Sequence, residues 1–168
     1  MVGSAVHDIH TARWLLAEEV REVHPRWIPS DPASPDSCRL VVIQMTLANG
    51  SLALIEVNAE SGYGYEVDVE VTGEQGRVHF TPLSTPWVRR ARSQARGIDA
   101  DWLTRFEAAY VDEARSWIDS LLAGAPTGPN AWDGYTSLVI AEACLESAHS
   151  GAPQPISAGT DRPALYDR

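Results

Sequence analysis

His7 and His10 stand three residues apart where the spacing is helical, so both imidazoles can point the same way. Such a pair is half of a zinc site, which also needs a third and a fourth ligand. Asp8 falls on another part of the helix and no other histidine cluster exists, so no metal is expected and a partly buried histidine pair is the plainer reading. His7 on its own has the chemistry of a general base. Tyr63 and Tyr65 stand where a strand begins, a place from which side chains reach into a cleft, although structural packing is the plainer reading of both. Gly62-Tyr63-Gly64 is no dinucleotide fingerprint: a third glycine is missing at the required offset and a strand follows instead of a helix. Arg89, Arg90, Arg92 and Arg96 could grip carboxylate or phosphate. More simply, they balance an acidic surface, within the molecule or across a dimer. No Gly-x-Ser-x-Gly motif and no Cys beside a His is present, so a nucleophile is not legible.

Composition bounds these options. The 168 residues carry 23 acids against 13 bases, a formal net charge of -10, which argues against non-specific nucleic-acid binding and against anionic membranes. All 13 bases are arginine. The absence of lysine excludes a Schiff-base lysine, a P-loop lysine or a lysine general acid from this polypeptide. Cys38 and Cys144 lie far apart, which reads as two reduced thiols in a cytoplasmic protein. No stretch approaches the ~18 apolar residues of a membrane span, and the first residues lack a signal-peptide pattern. With 44% apolar residues, one globular core is expected.

The elements that must hold these residues follow from pattern. A first helix has Ser4 as N-cap, with Val6, Ile9, Arg13 and Leu16 at helical spacing. A helix opening so early, with no strand before it, fits an edge cut from something longer. Pro25, Pro29, Pro32 and Pro35 mark an irregular connection, with a short strand around Val23 to Trp27. Residues 38–48 and 51–59 read as a hairpin about Asn49-Gly50. Residues 65–72 alternate, with Val67, Val69 and Val71 facing one way, and residues 77–81 return as another strand, giving one sheet of four or five strands. A long loop over 82–98 carries the arginines. Asp99 or Asp101 caps a helix whose Leu103, Phe106, Tyr110, Trp117 and Leu121 form a core stripe. A last helix, about 133–150, places Leu138, Ala141, Leu145 and Ala148 on one face, and Gly151 with Pro153 stops it. Residues 151–168 read as an extended tail. The expected class is α+β: an open, mostly antiparallel sheet with helices packed on one face. The other face, holding Glu56, Asn58, Glu66, Asp68 and Glu70, must meet water or a partner.

Several segments, in order, resemble the C-terminal domain of the Gfo/Idh/MocA oxidoreductases, nearest the inositol 2-dehydrogenase-like branch. They are Val6-His7-Asp8-Ile9-His10 through Arg13-Trp14-Leu15-Leu16, then Tyr63-Gly64-Tyr65-Glu66, then Glu70 to Gly76. Arg105-Phe106, Ala109-Tyr110, Glu113, the run from Gly128 to Tyr135, and Arg162-Pro163 with Leu165-Tyr166 complete the set. The resemblance spans nearly the whole chain, as a single domain over 1–168. It implies that this domain supplies the substrate wall and the oligomer interface, while a separate Rossmann domain binds NAD or NADP and provides a lysine. The histidine of the family's Asp-x-x-x-His motif falls on His7, which would take a hydroxyl proton as hydride leaves the same carbon. Tyr63 and Tyr65 lie where this branch contacts its polyol.

Departures matter equally. The position of the motif's aspartate is Gly3, and neither the glycine fingerprint nor any lysine is present. The resemblance therefore implies a substrate-binding and oligomerisation domain that binds no cofactor and transfers no hydride alone. Its expected partners are a second copy through the open sheet face, a separate Rossmann-domain subunit, and a polyol or sugar-like molecule. The other reading from these residues is a cofactor-independent acid/base enzyme, an isomerase, dehydratase or cyclase, using His7, Tyr63 and Tyr65.

Overall fold

The computed structural model describes residues 2–34, 37–80, 87–157 and 162–166. The chain falls into two compact units, one of residues 1–60 with 128–168 and one of residues 61–127.

The first unit is a sheet with two helices on one face. α1 (Val2–Leu16) leads into β1 (Val20–Ile28), which pairs antiparallel with β2 (Leu40–Leu47), and β2 with β3 (Leu52–Asn58). In the β2–β3 connection, residues 48–51, Gly50 N–H donates to Leu47 O, and Gly50 sits at φ +86, the left-handed position that Asn-Gly supplies. Pro25 lies inside β1 instead of in an irregular connection. Ile28 O accepts from Arg39 on the β2 side, so Pro25, three residues earlier, turns its missing N–H to the opposite edge. The expected extended tail is partly sheet: β4 (Gln154–Pro155) pairs with β1 at Glu22 and Val23, and a 3-10 turn covers Ala164–Tyr166. The strand order is β3-β2-β1-β4.

Strand alternation sends Val23, Val41, Ile43, Met45 and Ile55 inward, onto Ala5 and Ile9 of α1 and onto Ile140, Ala141 and Cys144 of α3 (Ala131–Ser150). Each large aliphatic side chain so buried contributes ~1.5–3 kcal/mol. Two expectations about these helices are corrected. Helix α1 begins at Val2, so Ser4 lies within it and is no cap. Arg13 is buried on the core side, held by a two-point ion pair to Glu19 at 2.8 and 3.0 Å. On α3 the buried face runs through Thr136, Ser137, Ile140, Cys144 and Ser147, while Leu138 and Leu145 point outward. Small residues let α3 lie close to its neighbours, and their hydroxyls are satisfied locally: Thr136 donates to Trp132 O and Ser137 to Asp133 O, each at 2.9 Å. The helix starts at an Asn130–Asp133 capping box and ends on Gly151 at φ +71.

The second unit corrects the single large sheet. The strand expected over 65–72 is regular only as β5 (Val69–Gly73), which pairs with β6 (Gly76–Phe80) as a separate two-stranded hairpin; Thr81 lies outside the described residues. The alternation read from sequence persists, with Val67, Val69 and Val71 half-buried and Glu66, Asp68 and Glu70 exposed. Of the loop expected over 82–98, residues 82–86 lie outside the described residues and the rest holds a second hairpin, β7 (Trp87–Arg90) and β8 (Ser93–Arg96). Its two turn residues, Ala91 and Arg92, both have positive φ (49° and 63°), the geometry a two-residue hairpin demands even without glycine. Helix α2 (Trp102–Leu122) is capped by Asp101, whose carboxylate accepts from Thr104 N–H at 3.0 Å. Its apolar stripe is not core: Leu103, Tyr110, Trp117 and Leu121 are all exposed, and no residue of the helix is buried.

The architecture is α+β with antiparallel pairing throughout the strands described, as the pattern of elements implied.

Candidate functional site

His7 sits on the exposed side of α1, one position from half-buried Asp8. Burial raises the Asp8 carboxyl above its ordinary value, and the neighbouring His7 partly offsets this. His10 is half-buried. Among the described residues, no three His, Cys, Asp or Glu side chains gather as metal ligands would. Gly3 faces open space one helical turn before His7: a Cβ built there meets nothing within 4 Å. An acidic side chain at that position is therefore sterically free.

Tyr63 and Tyr65 belong to the second unit, and the structure places them on one irregular segment just before β5. Tyr63 is well exposed and Tyr65 half-buried. Tyr65 is anchored: its N–H donates to Asp99 O at 2.7 Å, and its ring meets Phe106 edge-on at 6.2 Å. Gly64 makes this close approach feasible. It has φ +130, and a Cβ there would stand 2.8 Å from Asp99 O and 2.9 Å from Ile98 Cγ2. Gly62-Tyr63-Gly64 thus serves backbone approach and leads into no helix.

Sequence reasoning missed two members of this cluster. Asp99 is no cap; it is buried, with its carboxylate 3.9 Å from Arg105 Nε, and the two side chains are only 5% and 6% exposed. Arg105 was legible solely as part of a resemblance, although an acid six residues before an arginine at a helix start is a readable pairing signal. The arginine hairpin is partly engaged with itself: Arg89 donates to Gln94 at 2.7 Å and Arg96 lies over the Trp87 ring at 5.0 Å. Cys144 is buried, which pushes its thiol up to about 12 and leaves it unreactive at neutral pH.

The sequence profile of the Gfo/Idh/MocA oxidoreductase family, C-terminal alpha/beta domain, matches residues 1–156. The chain belongs to this family. It is 47% identical over 170 residues to an inositol 2-dehydrogenase of Rubrobacter xylanophilus, covering 100% of this chain and 49% of that protein. It is 36% identical over 169 residues to an inositol 2-dehydrogenase of Pseudomonas fluorescens, covering 99% and 49%. Among solved structures, it superimposes with a TM-score of 0.84 on the myo-inositol dehydrogenase of Lactobacillus casei, crystallised with NAD(H) and myo-inositol. That match has 26% identity and covers 97% of this chain and 49% of that one. A putative myo-inositol dehydrogenase of Sinorhizobium meliloti gives 0.81 at 28% identity, covering 91% and 48%. The Gfo/Idh/MocA chain described here spans about half the length of these relatives and corresponds to the C-terminal domain of an inositol dehydrogenase-like oxidoreductase. Among the described residues, no helix is long and apolar enough to cross a membrane.

Proposed function

We propose that this chain is the substrate-side and self-associating half of a polyol dehydrogenase, a single family domain over 1–168. The observation that carries the reading is the 47% identity to an inositol 2-dehydrogenase along the whole of this chain but half of that protein. His7, exposed on α1, would take the hydroxyl proton at its imidazole. Tyr63 and Tyr65, held on the anchored segment of the second unit, would contact polyol hydroxyls. The residues present do not fit a nicotinamide cofactor: the glycine pair leads into an irregular segment and then a strand, with no helix N-terminus, and no lysine exists to assist hydride transfer. NAD or NADP is assigned to a Rossmann domain outside these residues, and no hydride step is assigned to this chain.

The outer sheet face supports self-association. Exposed Ile28, Leu52 and Leu54 share that face with Leu40 and Val42, and Arg26 and Glu56 flank Val42 in one cross-strand row. Two copies face to face would bury the leucines and set opposite charges across the join.

The test mixes the purified chain with NAD and myo-inositol and follows NADH absorbance alongside calorimetric binding of myo-inositol. Polyol binding without NADH supports the reading. Hydride transfer by the pure chain overturns the assignment of the redox step elsewhere. Turnover of a polyol without NAD, abolished by His7→Ala, would replace the reading with cofactor-independent acid/base chemistry. Light scattering at tens of micromolar should show a dimer, and Leu54→Arg should return a monomer.

A further inference from the structure

We infer that Asp99 and Arg105 form a buried positioning pair that holds Tyr63-Gly64-Tyr65 in its substrate-facing conformation. The inference rests on the reading that this segment contacts a polyol.

Asp99 is the sole residue buried as a whole among the described residues of the second unit, and it carries a charge. Its counter-ion, Arg105, is equally hidden, yet the pair is imperfect: Nε and Oδ2 stand 3.9 Å apart, and neither atom has a hydrogen-bond partner. A buried ion pair with this geometry is a poor source of stability, because desolvating both charges offsets most of their attraction. Its placement gives it a use. Asp99 offers its carbonyl to Tyr65 N–H on one side, where only glycine at position 64 leaves room. Arg105 reaches the same segment two residues further on, its Nη2 donating to Val67 O at 3.5 Å. Its guanidinium also lies 5.5 Å from the Phe106 ring centre, and Phe106 is the ring that meets Tyr65 edge-on. Three groups from 99–106 therefore converge on residues 64–67 by backbone bond, side-chain bond and ring contact. The charges link the Asp99 strand segment to the first turn of α2, so neither can shift without the other. Tyr65 and Val67 are both half-buried while Glu66 between them is exposed, so a hold on Val67 restrains the direction of Tyr65. Groups that read a substrate need such support, since a displacement of ~1 Å is enough to lose most of their effect.

The experiment compares the full chain with an Asp99→Leu/Arg105→Met double variant, in which similar volumes replace the charges and the fold is retained, and with Arg105→Lys. Hydrogen exchange of the Tyr65 amide is read by NMR, and myo-inositol affinity by calorimetry, each also in a Tyr65→Ala background. The double variant should keep the exchange protection of β2 and α2, expose the Tyr65 amide about tenfold more, and weaken myo-inositol about tenfold. Arg105→Lys should recover part of both losses, and in the Tyr65→Ala background the pair should have no further effect on affinity. Unchanged Tyr65 exchange in the double variant overturns the inference, and so does an affinity loss that persists undiminished without Tyr65. If the double variant does not fold, Arg105→Lys decides by the same two readouts. Failure of the unaltered chain to bind myo-inositol overturns the polyol reading instead, while the amide measurement still judges the pair.

Discussion

The two units solve the problem of holding a chain together in opposite ways. Residues 1–60 with 128–168 bury Ile9, Val23, Ile43, Met45, Ile140 and Cys144 between a sheet and two helices. Residues 61–127 bury one residue whole among those described, the charged Asp99, and leave Trp87, Val88, Leu103, Tyr110, Trp117 and Ile118 exposed. The first unit is stabilised by area removed from water. The second relies on local hydrogen bonds, a cap, a glycine and an ion pair, and leaves its apolar side chains largely exposed.

Core truncation separates the units most sharply. Ile43→Ala or Ile140→Ala should cost about 2–5 kcal/mol in urea unfolding, whereas Leu103→Ala on exposed α2 should stay within about 0.5 kcal/mol. Equal losses would erase the contrast. Gly64→Ala should cost about 1–3 kcal/mol in the second unit, since the new methyl meets Asp99 O and φ is left-handed; differential proteolysis of 61–127 would detect it. Arg13→Ala should cost about 1–3 kcal/mol, less than a fully buried pair, because Glu19 remains 43% exposed and is rehydrated. Gly3→Asp should add about 0.5–1 kcal/mol, by replacing a helical glycine in open space and placing an acid at a helix N-terminus.

The smallest effect is pH-dependent. Folding raises the Asp8 carboxyl above its ordinary 3.8 because burial disfavours the charge. The protonated form therefore favours the folded chain: this contribution is full below the unfolded value and lost as pH rises through the folded one. Asp8→Asn should accordingly raise Tm at pH 7 by about 2 °C or less, the gain shrinking as the pH falls through the raised folded value and vanishing below the ordinary 3.8. A gain independent of pH would show that burial of the charge is not the cause.

Legibility followed the range of each interaction. The 40–58 hairpin, the alternation over 65–72, the Asp101 cap and the Gly151 stop are set within a few residues, and each stands where the sequence put it. His7, Tyr63 and Tyr65 were picked out by residue type and by resemblance to the family. Which leucines of α3 face inward was not legible, because small Thr136, Ser137 and Ser147 outcompete larger residues once a helix must lie close to its neighbours. The arginine run 89–96 lacked a glycine signal for its turn, since Ala91 and Arg92 take left-handed backbone themselves.

The sequence alone determined the charge, the absence of lysine and the α+β succession of elements, because these depend on residue identity and neighbours along the chain. Tertiary structure decided which apolar residues became core and that Asp99 and Arg105 meet beneath Tyr65. Both depend on what stands opposite after folding, and burial is a property of the assembled surface that no residue carries by itself.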